Sequence, residues 1–120
     1  MRILFISSEH ALIEGICDAL ADFGHVVDAV PGGELPGLRF HAPHQLVIVD
    51  ASGPAASLAP MLERLREIEP VARLLLIGER FTLHERVAGA ERGVDAFVAK
   101  PLTAAALSAG IRLATAPRKP

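Results

Sequence analysis

The sequence predicts an α/β domain of five successive βα units, a parallel sheet with helices on both faces. Three observations carry this. Short continuous apolar runs at residues 3–6, 46–49 and 74–77 suit strands buried on both sides. Segments with apolar residues at helical spacing separate them. The connections between the two kinds of segment are short, as βα units require.

Each element follows from local chemistry. Residues 3–6 form the first strand, and polar Ser7-Ser8-Glu9 ends it. Leu12, Ile16 and Leu20, flanked by Ile13, Cys17 and Phe23, share one face of a first helix, which Gly24 closes as a C-terminal cap. Residues 25–30 are a weaker strand. Residues 31–45 carry Gly32, Gly33, Pro36 and Gly37 and read as irregular, with Leu35, Leu38 and Phe40 available for packing. Residues 46–49 are a buried strand with Asp50 at its end. Pro54 and Pro60 bracket a loop, and Pro60 suits the first turn of a helix with Met61, Leu62, Leu65 and Ile68 inward. Pro70 stops that helix, and the strand at 73–77 runs to Gly78. Thr82 and Glu85 have capping-box spacing, starting a helix that Gly93 stops. Residues 96–99 are the fifth strand, broken by Lys100-Pro101. Thr103 caps a last helix carrying Leu107, Ile111 and Leu113. The expected domain is 1–115, with 116–120 a frayed tail.

Composition fits a single domain with its own core. The chain has 120 residues, 51% hydrophobic and 22% charged, a balance that argues against global disorder. Net charge is −2, so no basic excess is offered to nucleic acid or to an anionic membrane. The apolar runs are far shorter than the roughly 20 residues that span a bilayer. The opening Met-Arg-Ile-Leu-Phe-Ile reads as neither a signal nor a transit peptide. One cysteine, Cys17, excludes an intramolecular disulfide and a multi-cysteine metal site. A cytoplasmic protein is expected.

In sheets of this kind, sites lie beyond the carboxyl ends of the strands. That rule selects residues 7–9, 50–54, 78–80 and 100–101. The run Val-Ile-Val-Asp50, Pro54 four residues later, and Gly93-Val94-Asp95-Ala96-Phe97-Val98-Ala99-Lys100-Pro101 resemble, in order and spacing, the receiver domains of two-component response regulators. The resemblance covers nearly the whole chain. It implies a flavodoxin-like (βα)5 fold with strand order 2-1-3-4-5.

Asp50, by its position alone, is either a loop or capping aspartate or a nucleophile able to hold a phosphoryl group as an acyl phosphate. The resemblance implies that it is the phosphoacceptor, supplied by a sensor histidine kinase or a phosphotransfer protein. It implies that Lys100 stabilises the phosphoryl group and makes Pro101 a cis-proline candidate. Such a domain is not an enzyme beyond its own phosphorylation.

Two departures stand out. The family's first strand ends in two acids that help hold Mg²⁺, whereas this chain has Ser7 and Ser8. Asp50, the Ser52 carbonyl and Glu9 remain as ligands for a weakly held Mg²⁺. Glu9 is one position along, which reverses its direction on a strand, so only a bent loop would return it; otherwise it sits at the first helix's N-terminus, favoured by the dipole. The family's Ser or Thr switch position is Gly78, so Phe97, at the aromatic switch position, lacks its partner. A small residue there is expected to leave the phosphoryl pocket open.

Three readings follow. The first is a receiver with weakened Mg²⁺-dependent phosphorylation on Asp50. The second is a pseudo-receiver that docks partners without phosphorylation. The third, minor, is a phosphate- or flavin-binding domain using Ser7 and Ser8 at the pocket rim. The resemblance implies docking of an effector or a second copy through the fourth helix, fifth strand and fifth helix, where Arg86, Glu91, Arg92 and Asp95 carry mixed charge. No contact with nucleic acid or membrane is expected. His10 lies at the pocket rim; His41 and His44 read as solvent-exposed loop residues.

Overall fold

The architecture follows from strands that bury both of their faces. In the computed structural model, which describes residues 1–30, 43–51 and 58–117, the strands are β1 (Arg2–Ile6), β2 (Val26–Val30), β3 (Leu46–Asp50), β4 (Arg73–Gly78) and β5 (Ala96–Ala99). They form one parallel sheet in the order β2-β1-β3-β4-β5, as predicted. The helices are α1 (His10–Asp22), α2 (Leu58–Ile68), α3 (Leu83–Glu91) and α4 (Ala104–Thr115). Residues 31–42, between β2 and β3, lie outside the described residues. The third, fourth and fifth units therefore contribute α2, α3 and α4.

Successive side chains of each strand point to opposite faces, and each face has its own helices. Ile3, Phe5, Leu46, Ile48, Leu75, Ile77 and Val98 pack with Ile16 and Leu20 of α1 and Leu107, Ile111 and Ala114 of α4. Leu4, Ile6, Val47, Val49, Leu74 and Leu76 pack with Leu62 and Leu65 of α2, and Phe81 and Phe97 join that side. Among the described residues no helix is long and apolar enough to cross a membrane.

The expected punctuation is present. Gly24 and Gly93 adopt positive φ of 83° and 92° after α1 and α3, a conformation that costs glycine nothing. The Thr103 hydroxyl accepts the Ala106 N–H. The Thr82 hydroxyl accepts the Glu85 N–H, and the Glu85 carboxylate accepts the Thr82 N–H in return. That backbone bond first, then the Thr82 hydroxyl, holds the Glu85 carboxyl below its usual range. Its support for α3 is therefore present above the ordinary carboxylate range and fades as pH falls through the lowered value. Amide exchange in the first turn of α3 should accelerate there in the native chain and not in Glu85→Gln.

Two expectations change. Leu113 is 69% exposed and Ala114 takes the core position; the last helix faces the sheet through Leu107, Ile111 and Ala114. His44 is buried, not a solvent-exposed loop histidine. Ser52, Pro54, His41 and residues 118–120 lie outside the described residues, as do the side chains of His10 and Leu58.

Candidate functional site

Parallel register brings three strand ends together. Ile6 pairs with Val49, which sets Ser7 beside Asp50. Asp50 pairs with Ile77, and Gly78 with Ala99, so Lys100 follows at the same edge. Backbone bonds fix these ends: Ser7 N–H donates to Val30 O, Ala51 N–H to Ile77 O, and Lys100 N–H to Gly78 O. The Lys100-Pro101 peptide is cis.

The side chains converge on Asp50, whose own side chain is only 6% exposed. The Ser7 hydroxyl, itself buried, donates to Asp50 Oδ2 at 2.9 Å and accepts the Glu9 N–H at 3.1 Å. Lys100 Nζ lies 3.3 Å from Asp50 Oδ1 and 3.6 Å from Glu9 Oε2. One carboxylate oxygen thus meets a neutral donor and the other an ammonium. Glu9 is the N-cap residue of α1 and makes no side-chain cap. The chain bends at Ser8, and the Glu9 carboxylate returns to the pocket, where it meets Lys100. Ser8 is exposed.

This donor set bears directly on a divalent ion. Mg²⁺ takes about six oxygens and keeps several waters. Asp50 and Glu9 are the carboxylates placed here, and Lys100 already pairs with both. No group of three or more His, Cys, Asp or Glu able to hold a metal occurs among the described residues. The residues fit an ion held mainly by water and by one or two carboxylates.

Over 117 residues the chain is 32% identical to the transcriptional regulatory protein DltR of Streptococcus agalactiae, covering 96% of this chain and 52% of that protein. The transcriptional regulatory protein BasR of Escherichia coli is 28% identical over 113 residues, 93% of this chain and 51% of its own. The chain spans about half the length of the curated relatives it matches. No family model matches. Among solved structures, the non-phosphorylated HemR receiver domain of Leptospira biflexa aligns with a TM-score of 0.82 at 21% identity, covering 99% of this chain and 97% of that one. The chain is a response-regulator receiver domain. A further structure with its fold is a Burkholderia pseudomallei response regulator with a phosphorylated aspartic acid, calcium ion and citrate. Its TM-score is 0.69 at 19% identity, covering 91% of this chain and 65% of that one.

The surroundings of Gly78 and Phe97 differ from the expected open space. The space beside Gly78 is not open: a Cβ built there would lie 2.8 Å from Phe81 Cζ. Phe97 is partly buried and meets the Phe81 ring in a T-shaped contact, centroids 5.0 Å apart.

His44 is the residue that sequence reasoning missed. Its Nδ1 bonds the Glu69 carboxylate and its Nε2 lies 2.6 Å from Asp28 Oδ2. Its backbone N–H donates to Glu69 Oε1 at 3.0 Å, and Arg2 reaches Asp28 from β1 at 3.2 Å. The cluster lies at the start of β3, the end of the strand opposite Asp50. The available signal was His44's place just before a fully buried strand.

Proposed function

We propose that this receiver domain accepts a phosphoryl group on Asp50, from the phosphohistidine of a sensor histidine kinase or phosphotransfer protein, in a weakened Mg²⁺-dependent phosphorylation. The observation that carries this is Asp50 itself: nearly buried at the sheet's carboxyl edge, with Lys100 Nζ 3.3 Å from one oxygen. In the transfer, an Asp50 carboxylate oxygen forms a bond to phosphorus and the P–N bond to the donor imidazole breaks, the imidazole leaving with the bond's electrons and taking up a proton. Lys100 offsets charge on the phosphoryl oxygens, and Ser7 holds the carboxylate in register. Mg²⁺, when bound, neutralises phosphoryl charge; Asp50, Glu9 and the Ser52 carbonyl are its proposed protein ligands. The domain works in the cytoplasm, and α3, β5 and α4 form its docking face for an effector or second copy. Exposed Leu83, Val87 and Leu113 support that face.

The test is incubation with a small phosphodonor, with and without Mg²⁺, followed by intact-mass measurement. One added phosphoryl mass in the native chain, absent in Asp50→Asn, is expected. Mg²⁺ titration should give weak binding that tightens in Ser7→Asp/Ser8→Asp, since both added charges fall near Asp50. Tight binding in the native chain, lost on Glu9→Gln, would show instead that Glu9 replaces the acidic pair.

One observation favours the second reading, a pseudo-receiver that docks without phosphorylation: Lys100 is shared between Asp50 and Glu9, so the pocket is charge-paired with no phosphoryl group present. Absence of the mass shift under every donor and metal condition, with partner binding retained in Asp50→Asn, selects it.

A further inference from the structure

We infer that Phe81 is an aromatic lock that holds the α3–β5 side of the domain in one shape, with Gly78 as its seat. The inference goes beyond the phosphoryl reading and does not depend on Asp50 being modified.

Four contacts define the lock. Phe81 Cζ and Cε1 would lie 2.8 and 3.3 Å from a Cβ at Gly78, so no larger residue sits there unless the ring moves. Phe97, which pairs with Leu76 across β4 and β5, meets Phe81 at 5.0 Å and an interplanar angle of 63°. That is the edge-to-face arrangement that aromatic quadrupoles favour. The tip of Phe97 rests on α3: a Cβ at Gly89 would lie 2.6 Å from its Cζ. The Arg86 guanidinium, also on α3, stands 5.9 Å from the Phe81 centroid and 5.5 Å from that of Phe97, within cation–π range of both. Phe81 directly precedes Thr82, the capped start of α3. The rings therefore tie the end of β4 to β5 and to both ends of α3.

The consequence is mechanical. Gly78 is not simply a lost hydroxyl; it is the clearance that lets a ring take over the coupling position. The shape of the α3–β5 face is then set by packing within it, and a change at Asp50 has no hydroxyl through which to pull Phe97.

The experiment compares Phe81→Ala, Gly78→Ala and the double variant, by amide hydrogen exchange and by NMR of ring-labelled Phe97. Phe81→Ala should speed exchange of α3 amides about tenfold and broaden the Phe97 ring signals, while β1 and β3 amides stay protected. Gly78→Ala should reproduce both effects, because its methyl displaces the ring. The double variant should be no worse than Phe81→Ala alone, since both substitutions remove the same contact. Phe81→Leu, which keeps apolar volume without a ring, covers the case where Phe81→Ala does not fold; it should shift the Phe97 signals with β1 and β3 protection intact. Unchanged α3 exchange and unchanged Phe97 signals in the folded Phe81 variant would overturn the lock, and so would additive effects in the double variant.

Discussion

His44→Ala should destabilise the domain by about 3–5 kcal/mol, because it leaves the buried Glu69 carboxylate without its side-chain partner. The Glu69 side chain is 2% exposed and faces the fully buried imidazole. Without the ring it keeps its bond to the His44 backbone N–H but meets a cavity where a donor had been. A neutral imidazole carries one N–H, and here both ring nitrogens face carboxylates. Losing the ring therefore removes more than packing. Asp28 is the lesser partner: it is 41% exposed and has Arg2 beside it, so Asp28→Asn should cost about 1 kcal/mol or less. Urea unfolding of the native chain, His44→Ala, Glu69→Leu and the double variant measures this. The double variant should recover much of the loss, since no buried carboxylate remains unpaired. A His44→Ala loss under about 1 kcal/mol would mean that the cluster contributes only space-filling.

Lys100→Met should move two properties in opposite directions. On the proposed function, phosphorylation of Asp50 should slow by about 10²–10³-fold, the scale seen when a positioned charge-stabilising donor is removed. Mg²⁺ affinity should rise, because the ammonium pairs with both Asp50 and Glu9 and withdraws both from a cation. Methionine keeps much of the side chain's length without its charge, so packing changes little. Phosphodonor kinetics and metal titration on one sample separate the effects. A fall in both would mean that Lys100 organises the pocket sterically. Tighter Mg²⁺ with no phosphorylation in either protein would fit the pseudo-receiver.

The frame of the domain was legible because its signals are local. Doubly buried strands make continuous apolar runs, and Thr82, Glu85, Thr103, Gly24 and Gly93 mark helix ends through bonds a few residues long. Leu113 was misassigned by spacing: two residues beyond Ile111 lies about 200° around the helix, away from the sheet. Asp50 and Lys100 were placed together by topology, since strand ends of a parallel sheet share an edge. What could not be read depends on direction. The Ser7 bond and the reach of Glu9 arise from a turn whose path no periodicity encodes. Phe81 stands in a connection, where spacing says nothing of where a ring lies. His44 finds its partners 16 and 25 residues away, and nothing in the chain's pattern joins them.

The two charged clusters occupy opposite ends of one short strand. From Leu46 to Asp50, β3 rises about 13 Å, through the centre of the sheet. Changes at sites separated by more than about 10 Å generally add independently. Substitutions at the Asp50 end should then leave the anchorage around His44 unchanged, and substitutions around His44 should leave the pocket geometry unchanged. Pocket chemistry and scaffold anchorage can therefore be altered separately, each from its own pole of the same strand.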